Sequence, residues 1–253
     1  MAAVADIAID FMRRGGKRLR PRLCKAVFAA CGGTSLASRF FAPAVLFLRW
    51  RFNEAFSRGN ISDVCDAVEC FLKASLVHDD IQDGDETRYG RPTVWKEHGV
   101  AAAIAVGDWL VAHGYELIIK SGFPNAPQML AATVASHVRL CEGQGDDLLM
   151  PAANPLKAER FDEAAYLSVC ERKTGEAFAL AAQLGAIAAG SDDAEWREFG
   201  LAYGVLFQIN DDLTDGAARP ELESLRSERS RMLAALPAAG RVRCHFEQEG
   251  VPL

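Results

Sequence analysis

The stretch VCDAVECFLKASLVHDDIQD, residues 64–83, decides how the chain is read. Val64, Ala67, Val68, Phe71, Leu72, Ser75 and Leu76 recur at helical spacing, which predicts an amphipathic helix over Val64–His78. The stretch closes on carboxylates. Asp79 and Asp83 fall one turn apart on the same face, where like charges cost a bare helix about 0.2–0.5 kcal/mol. Such a pair calls for a cation. Carboxylate oxygens suit Mg²⁺, which keeps several waters and completes its shell from substrate phosphates. Taken alone, the same pair reads equally well as an acidic, solvated helix end.

Outward from this stretch the pattern stays helical. Ala101–Ile119, Ala131–Cys141, Arg160–Ala189 and Glu195–Leu213 are long and rich in alanine or leucine. Breakers separate them at Gly90-Arg91-Pro92, Ser121–Pro124, Pro151–Pro155 and Gly190–Asp192. No sustained period-2 alternation occurs, so the expectation is one all-α domain over residues 1–253 without internal repeats. Residues 216–253 differ, being charged and dotted with proline. They are expected to form a divergent or shortened tail with at most one clear helix, near Pro220–Leu236.

With 253 residues, half of them hydrophobic and a quarter charged, the chain has material for one large core. A formal net charge of −6 argues against a nucleic-acid binder. The basic cluster Arg13–Arg22 therefore suits a small anion better than a polyanion. Seven cysteines, an odd number without a CxxC pair, read as buried thiols in a reducing cytoplasm. No secretory signal is expected ahead of the basic cluster. The apolar run Phe40–Leu48 is too short to span a bilayer, so no transmembrane segment is expected; the run is a candidate membrane-leaning or dimer-forming surface.

A second acidic constellation changes the weight of the first. Phe207-Gln208-Ile209-Asn210-Asp211-Asp212-Leu213-Thr214-Asp215 repeats the D-D-x-x-D arrangement at the end of another apolar helix. Facing each other across a bundle, the two motifs would clamp a diphosphate through bridging metal ions. The cations that phosphate recognition needs are Lys17, Arg20, Arg88 and Lys173, the last in a Lys173-Thr174-Gly175 interruption of a long helix.

Six motifs occur in an order that resembles the trans-isoprenyl (polyprenyl) diphosphate synthases of the geranylgeranyl and farnesyl type. They are Gly15-Gly16-Lys17-Arg18-Leu19-Arg20-Pro21, His78–Asp83, Thr87–Pro92, Gly143-Gln144, Lys173-Thr174-Gly175 and Phe207–Asp212. The resemblance covers roughly residues 13–215. It implies a helical bundle of the isoprenoid synthase type with a central cavity, usually a homodimer, and three Mg²⁺ ions with substrate bound. Carried over by position, Asp79, Asp80, Asp83, Asp211, Asp212 and Asp215 would serve the metals. Arg88, Lys173, Thr174 and Gln208 would hold an allylic diphosphate, and Lys17 and Arg20 would hold isopentenyl diphosphate. The implied catalytic set is Asp79, Asp83, Arg88, Lys173 and Asp211. Small residues at Ser75 and Ala74, one turn before Asp79, would leave the product cavity open to geranylgeranyl length or beyond, with Phe71 and Leu72 as the next barrier.

Three positions depart from the family pattern. Leu72 stands where a histidine is common, Tyr89 where a second arginine is, and no lysine-containing segment is recognisable after Asp215. The isopentenyl pocket reads as depleted, and Tyr89→Arg would be expected to restore affinity. Two other readings fit a depleted pocket: a terpene cyclase-like enzyme that ionises a diphosphate without coupling it, and a regulatory subunit of a prenyl synthase.

Overall fold

A computed structural model describes residues 3–34, 59–149, 156, 161–216 and 219–249. The apolar run Phe40–Leu48 and the Pro151–Pro155 breaker lie outside them. Helices α1 (Val4–Arg13), α2 (Leu19–Ala30) and α3 (Ile61–Asp83) lead to a short hairpin of β1 (Thr87–Arg88) and β2 (Arg91–Pro92). Then follow α4 (Val94–His98), α5 (Val100–Lys120), α6 (Ala126–Leu149) and α7 (Glu163–Cys170). A π-helical turn, Glu171–Gly175, joins α7 to α8 (Glu176–Ala189), and α9 (Ala194–Thr214), α10 (Pro220–Ala235) and α11 (Pro237–Glu249) complete the described chain. The all-α expectation is met.

Helix α3 organises the molecule. Asn60 caps its start by accepting from the Ser62 amide at 3.1 Å, and Gly84 ends it in the left-handed region at φ 72°. Its side chains divide into three stripes by helical spacing. Phe71, Ala74 and His78 face α5, where Gly114 and Gly107 leave room for the Phe71 and His78 rings. Glu69, Lys73 and Asp80 form a second stripe, all three buried. Between these runs the third stripe, Leu72, Ser75, Asp79 and Asp83, none of it fully buried.

The largest core cluster joins α2, α3, α8, α9 and α11 through Leu23, Val27, Val64, Leu184, Phe199 and Phe246. Helices α8 and α9 approach closely because Gly200 and Gly204 sit one turn apart; a Cβ at Gly204 would come within 2.8 Å of the Gly175 backbone. That approach brings the next turns of α9, with Gln208 and Asp211, alongside the π turn.

The tail corrects the sequence expectation, because two helices form after residue 219 where at most one was expected. The buried positions of α11 are sparse: Ala238, Ala239, Val242 and Phe246. The Phe246 ring lies 5.8 Å from both Phe199 and Tyr203. The cysteine reading also needs amendment: Cys24, Cys65, Cys70 and Cys170 are buried, but Cys141 and Cys244 are exposed. Among the described residues α5 has the length and hydropathy of a membrane-crossing helix, a feature the sequence reading passed over. It packs instead against α3 and α6, leaving Val100, Ile104 and Ile119 exposed, as are Val134 and Val138 of α6.

Candidate active site

In the first motif, Asp79 is half-buried and Asp83 exposed, whereas Asp80 is fully buried and turned toward the hairpin. Arg88 donates from Nε to Asp80 Oδ1 at 2.5 Å. The other Asp80 oxygen is buried without a partner. Burial raises the Asp79 carboxyl above its ordinary range; the neighbouring Asp83 adds to the rise and Lys173 opposes it. The ionised form of Asp79 is thus penalised by burial in the ligand-free fold.

The second motif is built by the same logic with different partners. Asp212 accepts from Tyr166 Oη at 2.5 Å and from Gln208 Nε2 at 2.9 Å, so both of its oxygens are engaged. Thr174 Oγ1 in turn donates to Gln208 Oε1 at 2.6 Å, tying α9 to the π turn. Asp211 and Asp215 are exposed. The Asp211 carboxyl is raised by partial desolvation and by Asp215 and Asp212, against the pull of Lys17 and Arg20.

The cations reach both motifs. Lys173 is held by Asp147 of α6 at 2.6 Å. The turn that carries Lys173 is fixed by Glu176, a buried carboxylate bonded to Arg197 at 2.7 and 3.1 Å and to Arg139 at 2.7 Å. Gln144 bridges to Gln82 at 2.8 Å, joining α6 to the end of α3. Arg20 lies 4.5 Å above the Phe178 ring with its Nε unpartnered, and burial brings its pKa down to about 10. Lys17 is exposed in the loop before α2.

The structure thus brings Asp79, Asp83, Lys173 and Arg88 to one side, and Asp211, Asp215, Gln208, Thr174, Lys17 and Arg20 to the other. It does not present Asp80 and Asp212 as free carboxylates. Asp147, Glu176 and Tyr166 were missed from the sequence; only Asp147, three residues after Gln144, carried a signal there. Among the described residues no three acidic, histidine or cysteine side chains form a ready-made metal cage. Paired aspartates at two helix ends suit a hard cation that water and phosphate complete, so the donor set fits Mg²⁺.

A model of the polyprenyl synthetase family matches residues 2–223. The chain belongs to that family. It is 32% identical over 207 residues to a short chain isoprenyl diphosphate synthase of Methanothermobacter thermautotrophicus, covering 79% of this chain and 54% of that protein. It is 32% identical over 229 residues to a geranylgeranyl diphosphate synthase of Cereibacter sphaeroides, covering 87% of this chain and 67% of that one. The chain therefore spans about half to two thirds of the length of these curated relatives. Among solved structures, a Helicobacter pylori geranyltransferase complexed with magnesium and isoprenyl diphosphate matches with a TM-score of 0.71 at 19% identity, covering 98% of this chain and 87% of that chain. The isoprenoid synthase type of fold is thereby established.

Proposed function

We propose that this chain is a trans-prenyltransferase that condenses an allylic diphosphate with isopentenyl diphosphate, yielding geranylgeranyl diphosphate or a longer product. One observation carries this reading: two carboxylate pairs at two helix ends stand beside cations, Asp79 and Asp83 with Lys173 and Arg88, and Asp211 and Asp215 with Lys17 and Arg20, and burial raises the Asp79 and Asp211 carboxyls. Asp79 and Asp83 from α3, with Asp211 and Asp215 from α9 and its end, would hold Mg²⁺, and the number of ions proposed is three. When bound, the metal neutralises a leaving diphosphate.

Lys173, Thr174, Gln208 and Arg88 would bind and orient the allylic diphosphate. Arg88 must share its guanidinium between Asp80 and phosphate, which its planar fork of donors allows. Lys17 and Arg20 would hold the isopentenyl diphosphate. The allylic carbon–oxygen bond breaks, the isopentenyl double bond forms the new carbon–carbon bond, and a proton leaves the product. Ser75, one turn before Asp79 on the open stripe, would set the cavity floor. Ala74 is 1% exposed and packed with α5, so Ala74→Phe would overpack the core. Ser75→Phe is the better test of product length, with Leu72 as the next barrier, because Phe71 points to α5. The exposed apolar residues of α5 and α6 support a homodimer formed through that face.

Incubation with Mg²⁺, isopentenyl diphosphate and dimethylallyl, geranyl or farnesyl diphosphate, followed by product analysis, tests the reading. Elongation to geranylgeranyl diphosphate or beyond is expected. Release of diphosphate with no elongated product would favour the cyclase-like reading.

A further inference from the structure

Tyr89, which stands where the family commonly has a second arginine, is assembled with Lys73 into a device. Lys73 is fully buried, and its ammonium donates to the backbone carbonyls of Arg14 at 2.6 Å and Gly15 at 2.9 Å. It lies 4.3 Å from the centroid of the Tyr89 ring and 5.2 Å from that of Phe11. One turn earlier on the same stripe, Glu69 is buried and supplies the countercharge. Tyr89 adopts φ 54°, a conformation a bulky side chain rarely holds unless its surroundings fix it. Its ring covers the Gly15-Gly16 backbone: a Cβ at Gly15 would stand 3.0 Å from it, and one at Gly16 would stand 3.3 Å from its hydroxyl. Arg14 closes the circuit by donating to Pro92 O of the hairpin at 2.9 Å, and to Asp10 at 2.9 Å and Glu97 at 3.1 Å.

We infer that Lys73 and Tyr89 are positioning residues that act as a pair, clipping the Gly15-Gly16-Lys17 loop onto α3 and so fixing Lys17 and Arg20 for isopentenyl diphosphate. The inference rests on the function proposed above. Lys73 is not a spare phosphate ligand, because two of its donors are spent on backbone and the ring lies over it. Tyr89 is not simply a lost arginine either. A guanidinium in its place would lie against a buried ammonium, so Tyr89→Arg weakens the site while Lys73 is present, which reverses the expectation from sequence.

The test measures KM for isopentenyl and for the allylic diphosphate, together with hydrogen exchange of residues 14–18, in five variants. Lys73→Met should raise KM for isopentenyl diphosphate about tenfold or more, change the allylic KM little, and speed exchange in the loop. Tyr89→Ala should act in the same direction, and Tyr89→Phe, which keeps the ring, should recover most of that loss. Tyr89→Arg should raise the isopentenyl KM in the parent yet lower it in the Lys73→Met background. Tyr89 is 42% exposed, so the Tyr89 series decides the matter should Lys73→Met fail to fold. Equal rises in both KM values, unchanged loop exchange, or a lower isopentenyl KM for Tyr89→Arg alone would overturn the inference. A parent chain that forms no elongated product overturns the acceptor assignment instead, and loop exchange then still scores the clip.

Discussion

The two aspartate motifs share a sequence pattern and differ in what holds the middle carboxylate. Asp80 is buried against a cation, Arg88, whereas Asp212 is held by the neutral donors of Tyr166 and Gln208. In both motifs the first and last aspartates remain outside this internal bonding. The first motif therefore holds Arg88, the arginine proposed to bind phosphate, beside its carboxylates. The second has no cation bonded to its middle carboxylate, and Lys17 and Arg20 act on its Asp211 from other elements. One pattern, D-D-x-x-D, has been wired in two ways, with the outer residues available to ligands and the middle residue serving as scaffold.

The largest expected effect separates outer from middle positions. Asp79→Asn and Asp211→Asn should each lower turnover by about 3–5 kcal/mol in barrier, or roughly 10²–10⁴-fold, with the fold intact by circular dichroism. Steady-state rates at saturating Mg²⁺ check this, and near-parent turnover in either variant removes that motif from the chemistry.

A smaller effect distinguishes the two scaffolds. Asn at 212 offers one acceptor to two donors, and Gln208 cannot turn because its carbonyl accepts from Thr174. Asp212→Asn should cost about 1–3 kcal/mol of stability, read by denaturant unfolding. Asp80→Asn should cost about 1 kcal/mol or less, since Asn still accepts from Arg88 and the second Asp80 oxygen already lacks a partner. Equal costs would mean that the neutral and cationic anchors are equivalent.

The smallest effect is one of pH. The Asp79 carboxyl is raised in the fold by burial and then by Asp83, so its ionised form is penalised there. That penalty is complete above the raised folded pKa and vanishes below the ordinary carboxylate range. Ligand-free Asp79→Asn should therefore melt above the parent at neutral pH, and the gap should close as pH falls toward 4. A gap that widens on acidification would contradict the assigned direction.

Much of this comparison was legible in the sequence, and the part that was not has physical reasons. Val64–His78 announced a helix because its apolar spacing is a local signal, and both D-D-x-x-D runs stood out as charges ending apolar segments. The split into outer and middle aspartates was not legible, because it depends on Arg88, Tyr166 and Gln208 arriving from other elements. Helix α11 was missed because its four buried side chains are dispersed among charges and find their partners on α2 and α9. Tyr89 was read as a deletion of charge. Its role depends on Lys73, sixteen positions earlier, and on two glycines in a distant loop.

The most direct measurement is calorimetric titration of Mg²⁺ into the chain saturated with an unreactive allylic thiodiphosphate. The account predicts strong binding by the parent, near-parent binding by Asp80→Asn, and loss of most of the heat in Asp79→Asn and Asp211→Asn. Binding that survives in both outer variants, or that is lost equally in Asp80→Asn, would contradict it.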